Sequence, residues 1–297
     1  MSVRRRVEGG LHRWLLAGLP LAWLAIFFLL PLGIVLRISL AEPVLAQPPY
    51  SPLFDPGGGA MPQLDPGNYR ALFTDGLYAS SLLGSLRMAA ISTLLCLLAG
   101  YPMAYAIARA PQPRRTVLLL LVILPFWTSF LLRVYAWMGL LGSQGAVNAL
   151  LLALGWVETP LQLLYTDAAV YLGMGYSYLP FMVLPLYAVL ERQSRELREA
   201  AADLGADPWR VFRDVTLPLS LPGVLAGSLL VFIPATGEFV IPSLLGGIDT
   251  RMLGHTVYEE FFVNRDWPLA AALTVTLLAV VLAPLALLQR LRTGVEP

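Results

Sequence analysis

The sequence has little charge: only 13% of its 297 residues are Asp, Glu, Lys or Arg, whereas soluble domains carry about 25%. Lysine is absent, so every basic side chain other than histidine is an arginine. Hydrophobic residues make up 57% of the chain, and the mean hydropathy is +0.69. This composition excludes an ordinary soluble domain and predicts a protein built into a lipid bilayer. The formal net charge of +1 gives no indication that nucleic acid is a partner.

Residue types that bind metals or carry out catalysis are scarce. Cys96 is the one cysteine, so no intramolecular disulfide can form. The two histidines, His12 and His255, lie far apart, and no Ser/His/Asp arrangement stands out. We therefore expect no metal, no cofactor and no catalytic residue, and we do not expect the chain to be an enzyme.

Long apolar runs are what the sequence does contain. About 20 apolar residues cross a bilayer, and the runs predict six transmembrane helices, at about 14–36, 82–108, 116–140, 168–190, 224–245 and 268–288. The first run exceeds the roughly 7–15 apolar residues of a signal peptide, so we interpret it as an uncleaved span. Pro20 and Pro31 are expected to kink it or mark its ends. The predicted fold class is all-α and polytopic.

The segments between the runs divide the chain. We expect an N-terminal segment at 1–14, a transmembrane domain at 15–290 and a tail at 291–297. An outer loop at about 41–77 is rich in proline and glycine and ends in a short surface helix at 68–75. A second loop, 141–167, is expected to hold a short helix near 148–154, and Arg87 to reach the headgroups by snorkelling.

Arginine distribution predicts the orientation. Fourteen of the twenty arginines lie in the N-terminal segment, the turn at 109–115, the polar loop at about 191–222 and the C-terminal end. Short cytoplasmic loops carry an excess of positive charge. Both termini and the polar loop are therefore predicted to be cytoplasmic. An even number of spans agrees with this, because it places both termini on one side.

The polar loop has the pattern helix, turn, helix. Residues 197–204 favour a helix, and Gly205 can end it in the left-handed conformation. Asp207 is expected to cap a second short helix with Pro208 at its first position.

This second helix is expected to stop at Leu217-Pro218 and Leu221-Pro222, before the next apolar run. A structured polar segment between two spans predicts recognition by a soluble partner.

The loop resembles a known family. Glu199-Ala200-Ala201, three residues, Gly205, nine residues and Val215-Thr216-Leu217-Pro218 match the EAA loop of ATP-binding-cassette (ABC) importer permeases, which usually have Ile at the position of Val215. The alternative is an ordinary amphipathic connector between two spans. The resemblance implies a type I ABC importer permease of the bacterial inner membrane, in which the ATPase-coupling residues are Glu199, Ala200, Ala201, Gly205, Val215, Leu217 and Pro218.

The same resemblance implies partners. The chain has no GxxxxGK[ST] phosphate loop, so ATP hydrolysis is expected from a homodimer of separate ATP-binding subunits. Six spans make half of such a pore, so a second homologous permease chain is expected. A periplasmic solute-binding protein would deliver the cargo.

A narrower resemblance concerns the cargo. The segments 124–137 (LPFWTSFLLRVYAW), 178–187 (YLPFMVLPLY) and 233–242 (IPATGEFVIP) are similar to spermidine/putrescine permeases, as is Asp266-Trp267-Pro268. Two departures, Thr236 in place of a small apolar residue and Gly254-His255 in place of Gly-Asn, leave another amine-containing or opine-like solute open. Rival interpretations are a secondary transporter and a membrane-embedded enzyme.

A cationic cargo directs attention to one carboxylate and several aromatic rings. Glu238 lies within an apolar run that Gly237 and Pro242 are expected to interrupt, and interrupted helices line cavities. Aromatic faces attract ammonium groups, so the further pathway candidates are Trp127, Tyr135, Trp137, Tyr176 and Tyr178. The alternatives are that Glu238 pairs with an arginine and that the aromatic residues belong to an interfacial belt. We expect His255 to be an ordinary loop residue.

Overall fold

The computed structural model describes residues 17–52 and 64–293, and side chains only as far as residue 283. The predicted segment 1–14, residues 53–63 of the outer loop and residues 294–297 of the tail lie outside this part. The described residues form helices and no strands; an isolated bridge joins Pro43 to Tyr50.

We number the helices of the described part in chain order. They are α1 (Ala17–Ile38), α2 (Gly67–Thr74), α3 (Gly76–Arg109), α4 (Arg114–Ile123), α5 (Phe130–Leu141), α6 (Ala146–Ala153), α7 (Asp167–Glu191), α8 (Arg195–Asp203), α9 (Pro208–Thr236), α10 (Val240–Leu245), α11 (Leu253–Tyr258) and α12 (Trp267–Thr293).

Five helical stretches in the described residues are long and apolar enough to cross a bilayer: α1, α3, α5 together with α6, α7 and α9. A shorter apolar stretch, Trp267–Ala283, belongs to α12. The predicted first and fourth spans match α1 and α7 to within a few residues. The predicted second span, 82–108, lies inside α3, which begins earlier, at Gly76. The two short helices expected in the loops correspond to α2 and α6. The count of six spans stays a prediction.

The predicted third span, 116–140, is wrong as a continuous helix. Helix α4 ends at Ile123, a 3₁₀ turn follows at Leu124–Trp127, and α5 begins only at Phe130. Thr128 between them is extended, and its hydroxyl donates to the carbonyl oxygen of Pro125 at 2.7 Å. Hydroxyl side chains that bond to nearby backbone groups compete with helix formation, and hydrophobicity alone does not show this.

The predicted stop at Pro218 and Pro222 is also wrong, since α9 runs from Pro208 through both prolines to Thr236. A π turn at Phe212–Thr216 precedes Pro218, and the N–H of Leu217 donates to the carbonyl of Phe212. Local widening of this kind lets a membrane helix accommodate a proline without ending. The same arrangement occurs in α1, where the π turn Ala25–Leu29 precedes Pro31, so that Pro31 does not end that helix.

The interruption expected near Gly237 and Pro242 is confirmed. Helix α9 ends at Thr236, residues 237–239 are irregular, and the short α10 follows. Extended hydrophobicity from 224 to 245 therefore covers two helices rather than one.

The chain divides into two compact units. In the unit of residues 80–256, α9 packs along α7. Gly223 and Gly227 permit this contact, because a Cβ atom on either would lie about 3 Å from the backbone of α7. The core of this unit includes the fully buried Met174 and Met182 of α7.

The other unit comprises residues up to 79 and from 257 onward. There α12 packs against α1 and α2. The buried Asn68 amide donates to the carbonyl oxygens of Ser39 and Ala41, at 3.1 and 2.9 Å, and joins α2 to the end of α1.

Candidate coupling loop and translocation pathway

The first helix of the polar loop, α8, has defined ends. Ser194 caps its start by accepting an N–H bond at 3.1 Å. At its end, Ala206 N–H donates to the Ala201 carbonyl and Gly205 N–H to the Ala202 carbonyl, at 3.1 and 2.9 Å. These bonds form a Schellman motif, and Gly205 has a φ of +85°. The predicted role of Gly205 as a left-handed helix terminator is confirmed.

The second helix begins as expected. The Asp207 carboxylate accepts N–H bonds from Trp209 and Arg210 at 2.9 and 3.0 Å, and Pro208 occupies the first helical position. The turn between the two helices is thus determined by capping groups on both sides.

The seven residues of the EAA pattern fall into two groups. Glu199, Ala200, Ala201 and Gly205 belong to α8 and its end, and no residue of α8 is buried. The other group lies in α9, at or directly after its π turn, and consists of Val215, Leu217 and Pro218. In the described part of the chain, α8 is therefore accessible to another molecule. Helix α9 connects α8 to the membrane-spanning part.

Aromatic contacts that sequence analysis missed hold the loop against α3. Phe212 meets the rings of Tyr101 and Tyr105 edge to face, with centroids 5.7 and 5.8 Å away. Trp209 stacks on Phe212 at 5.6 Å, and the Tyr101 hydroxyl lies 2.9 Å from that of Ser220. Tyr101 and Tyr105 are four residues apart on a helix, a spacing that could have indicated a shared face.

Polar contacts also missed from sequence connect the base of the loop. Arg115 forms an ion pair with Glu191 at 2.7 Å and donates to two carbonyl oxygens at the end of α3. Gln193 donates to the Thr216 carbonyl at 3.1 Å. The ends of α3, α7 and the π turn of α9 are therefore linked at one place.

A cleft of about 620 Å³ opens beside α8. Its charged lining residues are four arginines and two glutamates: Arg109, Arg115, Arg195, Arg198, Glu191 and Glu199. Glu199 of the EAA pattern is thus part of a polar, mostly basic surface.

Glu238 lies at the interruption between α9 and α10, where it is only 9% exposed. One carboxylate oxygen accepts N–H bonds from Phe239, Val240 and Ile241, at 3.1, 2.9 and 3.4 Å. The other accepts the hydroxyl of Tyr178. The carboxylate therefore caps α10, and its side-chain partner is Tyr178 rather than the arginine considered as an alternative.

Helix α11 packs closely on the same interruption. A Cβ atom on Gly254 would lie 2.6 Å from the Gly237 carbonyl oxygen and 2.8 Å from that of Glu238. Its neighbour His255 is helical, so the expectation of a loop residue was wrong. Thr236, the other departure from the polyamine pattern, is buried and donates to the Phe232 carbonyl at 2.7 Å within its own helix.

The aromatic candidates divide by position. The rings of Trp137 and Tyr176 meet at 5.7 Å, and Tyr178 is buried beside Glu238. Trp127 and Tyr135 are 80% and 55% exposed. The structure therefore brings together two pairs of candidates, Trp137 with Tyr176 and Tyr178 with Glu238. It leaves the rings of Trp127 and Tyr135 exposed.

Two arginines in the unit of residues 80–256 differ in their surroundings. Arg87 pairs with Asp167 at 2.8 Å, and both side chains are largely exposed, so its charge is matched by a partner at the helix end. Arg133 of α5 lies 5.5 Å from the Phe126 ring and 5.7 Å from that of Phe130. Its Nε and Nη1 atoms are buried and have no hydrogen-bond partner among the described residues.

Comparison with protein families decides the assignment. Residues 14–296 match the family of binding-protein-dependent transport system inner membrane components. The chain belongs to this family. It is a permease subunit of an ABC importer and a multi-pass protein of the inner membrane.

Among curated relatives, this permease is similar to the spermidine/putrescine transport system permease protein PotB of Escherichia coli (strain K12), with 44% identity over 72% of the chain and 77% of the relative. It is 35% identical to the inner membrane ABC transporter permease protein YdcU of the same strain, over 77% of each chain. The molybdenum transport system permease protein ModB of Mycobacterium bovis is 34% identical over 73% of this chain and 80% of the relative.

Solved structures agree on the fold of this permease. A chain of a bacterial ABC transporter that imports the acidic polysaccharide alginate superimposes with a TM-score of 0.73 at 17% identity, over 98% of this chain and 100% of that chain. A second structure, of a bacterial alginate ABC transporter in complex with a periplasmic protein bound to an alginate pentasaccharide, gives a TM-score of 0.69 at 15% identity, over 95% of this chain and 94% of that chain. At this identity the likeness concerns the fold alone.

Proposed function

We propose that this permease forms half of the translocation pathway for a small cationic solute, a polyamine such as spermidine or putrescine. A second, homologous permease chain forms the other half, and a periplasmic binding protein delivers the cargo. Two separate ATP-binding subunits drive transport through the EAA loop, residues 191–222. Both termini face the cytoplasm.

The coupling role is supported by the loop geometry. Helix α8 is capped at both ends and exposed along its length, so it is ordered before any partner binds, and ordering it then costs little additional entropy. The small side chains of Ala200, Ala201 and Ala202 permit close approach by a partner. Contacts from Phe212 and Arg115 connect the loop to α3 and α7, so a force on α8 reaches the spans.

The cargo assignment rests on the 44% identity to PotB. ModB, whose name specifies molybdenum, is only 34% identical. For the pathway we propose Glu238 together with the candidate aromatic rings. Because both Glu238 oxygens already accept bonds within the chain, its charge would act on a passing ammonium group through the field. The exposed rings of Trp127 and Tyr135 would offer direct contact, worth about 0.5–2 kcal/mol each depending on desolvation.

Coupling is tested by replacing Glu199 or Gly205. Glu199→Ala removes an exposed carboxylate, and Gly205→Ala puts a side chain on a left-handed residue, which costs about 1–2 kcal/mol. We expect each variant to insert into the membrane normally and to retain less ATPase subunit during purification. Glu158→Ala, an exposed carboxylate of the other predicted face, is the control. Normal ATPase retention by both loop variants would contradict the coupling role.

Cargo is tested in proteoliposomes that contain the assembled transporter. ATPase stimulation is measured with the binding protein loaded from a panel of polyamines, amino acids and opine-like amines. We expect stimulation by putrescine or spermidine, and a reduced response in Glu238→Gln, which removes the charge and keeps an acceptor oxygen. Stimulation by a different solute would leave the permease assignment in place and overturn the polyamine assignment.

A further inference from the structure

An apolar cleft of about 390 Å³ lies between α3, α4 and α7, within the unit of residues 80–256. Its volume falls within the range of about 300–1,000 Å³ that is usual for ligand sites. Ten residues line the cleft, and among them only Tyr176 has an oxygen or nitrogen atom in its side chain. No charged residue of the described chain lines it. The cleft therefore suits a hydrocarbon group, and it offers too few polar partners for water or for a cation.

The position of the cleft along its helices indicates that it reaches about as deep as one leaflet of the bilayer. Met103 and Ile107 line it from α3, six and two residues before that helix ends at Arg109. Pro180 lines it from α7, eleven residues before Glu191, or about 16 Å at 1.5 Å per residue. One leaflet supplies about half of the 30 Å hydrocarbon thickness. Because α3 and α7 are both long and apolar enough to cross a bilayer, this placement does not depend on α4.

A basic turn, residues 109–115, lies toward the shallow end of the cleft. Arg114 begins α4 and precedes the lining residue Leu118 by four positions, a spacing that puts the two residues on one face of the helix. Val122 continues this face and also lines the cleft. Arg114 is exposed, and none of the ion pairs among the described residues includes it, whereas its neighbour Arg115 has a carboxylate partner. The apolar cleft is thus followed, one helical turn further on, by an unpaired cation.

An apolar cleft with a cation one turn beyond its end has the chemistry of a phospholipid site. Basic pockets between transmembrane helices on the cytoplasmic side bind anionic headgroups, and hydrocarbon tails restore the dispersion contacts that an empty cleft would lack. The proposed cargo is a cation, which an arginine repels. A helix of another chain would gain little by entering the cleft, because no hydrophobic force drives helices together within a bilayer. The lining and the charge together therefore favour a lipid with an anionic headgroup.

We propose that the cleft binds one anionic phospholipid, whose acyl chain lies between α3, α4 and α7 and whose phosphate pairs with Arg114. The arginine distribution predicts that this turn is cytoplasmic, so the lipid belongs to the inner leaflet. The inference assigns Tyr176, one of the proposed pathway rings, a contact with the lipid, while Glu238 and the exposed rings keep their proposed role. It rests on neither the cargo nor the coupling role.

The test uses the complete transporter, purified with its co-expressed subunits and reconstituted into phosphatidylcholine vesicles. The probes are phosphatidylglycerol and phosphatidylcholine that carry the same photoactivatable diazirine in one acyl chain. After illumination, mass spectrometry measures the labelling of residues 103–107 and 118–125, and of the exposed Leu98 as a reference. We expect both probes to label Leu98 equally. Phosphatidylglycerol should label the cleft about fivefold more than phosphatidylcholine does, the ratio expected for one arginine near the membrane surface.

Two pairs of variants separate the two parts of the site. Arg114→Gln should reduce the ratio between the probes to about one, since it removes the charge that selects the headgroup. Arg192→Gln, which removes an exposed arginine of the same predicted face outside the cleft, should leave the ratio unchanged. Ala106→Trp puts a large ring into the cleft and should lower its labelling by both probes severalfold. Ala90→Trp, at an exposed position of the same helix outside the cleft, should match the parent.

Thermal inactivation provides a measurement that is independent of the probes. Adding phosphatidylglycerol to the delipidated transporter in detergent should prolong the half-life of the parent and of Arg192→Gln at a fixed temperature. The half-life of Arg114→Gln should change much less. An equal gain in all three proteins would contradict the pairing of the headgroup with Arg114.

The remaining outcomes are equally decisive. Equal labelling of the cleft by both probes in the parent, or a preference that survives Arg114→Gln, would overturn the anionic-lipid site. Labelling of Leu98 without labelling of the cleft would also overturn it, and would assign the cleft to protein, either a second permease chain or another part of this chain. Each of these results leaves the coupling role and the cargo to their own experiments, so that failure of the lipid site is distinguishable from failure of the proposed function.

Discussion

At the scale of single residues, Glu238 is a carboxylate of the predicted pathway whose two oxygens both accept hydrogen bonds from within the chain. Its oxygens accept three backbone N–H bonds and the Tyr178 hydroxyl. The three N–H groups belong to the start of α10 and would otherwise be unsatisfied, as at any helix N-terminus. The carboxylate thereby ties the half-helix after the interruption to α7.

We expect Glu238→Ala to destabilise the protein, because it leaves buried N–H groups without acceptors at about 1–3 kcal/mol each. Glu238→Gln should retain most of the stability, since its amide oxygen still accepts. Thermal inactivation of the purified transporter, followed by size-exclusion chromatography, measures the difference. Equal loss of stability in both variants would show that the charge, and not the capping bond, holds the interruption together.

Gly254 is the second residue on which this region depends. We expect Gly254→Ala to lower the stability by about 1–3 kcal/mol, because overpacking forces the elements apart and the new Cβ would meet the backbone oxygens of Gly237 and Glu238. Gly139→Ala is the matched control: it lies within α5, and its Cβ would have nothing within 4 Å. That variant should be neutral or gain up to about 1 kcal/mol. A tolerated alanine at 254 would show that α11 is free to move away.

At the scale of the elements, capping residues predicted more than hydrophobicity did. Gly205, Asp207 and Pro208 each determine a local conformation through their own chemistry, and the structure contains the turn that they predict. The apolar runs at 116–140 and 224–245 each contain an interruption that hydrophobicity did not indicate. The second interruption was expected from Gly237 and Pro242, not from the apolar run itself. Hydrophobicity measures transfer into lipid, and it does not report where backbone hydrogen bonds break.

The contacts that hold the coupling loop in place could not be predicted from the sequence, for a different reason. Phe212 and Tyr101 are far apart in sequence, and which helices meet depends on the packing of α3 against the loop. The prolines of α9 were wrongly predicted to end the helix. A π turn before Pro218 lets the helix continue without the N–H donor that proline lacks, and a sequence pattern does not reveal such a turn. Helix capping depends on residues that are close in sequence and could be predicted. Contacts between side chains of different helices could not be predicted.

The loop's aromatic contact makes a prediction at this scale. We expect Phe212→Leu to retain ATPase subunit during purification while the stimulation of ATPase by loaded binding protein falls severalfold. The two edge contacts with Tyr101 and Tyr105, worth about 0.5–1.5 kcal/mol each, would be lost, so movement of α8 would reach α3 less effectively. Leu219→Ala, an exposed apolar position on the same helix, controls for general damage. Loss of ATPase retention in Phe212→Leu would assign the ring to docking instead.

At the scale of the whole molecule, one helix connects the two functional regions. Helix α7 runs from Asp167 to Glu191, and at 1.5 Å per residue the 13 steps from Tyr178 to Glu191 cover about 20 Å. Tyr178 holds Glu238 at the interruption, and Glu191 holds Arg115 at the base of the coupling loop. The interruption and the base of the coupling loop are thus both attached to α7, along which α9 packs. A displacement of the loop would therefore shift α7 as a rigid body and move the interruption with it.

Such a mechanism requires the coupling loop to face the cytoplasm, as the arginine distribution predicts. The same prediction places Glu158, in the loop before α7, on the outer face. Cys96 is buried and is the only cysteine of the chain, so Cys96→Ala provides a background for single-cysteine labelling. We expect Glu158→Cys to react with a membrane-impermeant maleimide in spheroplasts, and Arg192→Cys to react only in inverted vesicles. Both positions are exposed. Labelling of both cysteines from the same side would contradict the predicted span order, and reversed labelling would place the coupling loop outside, where no ATPase could reach it.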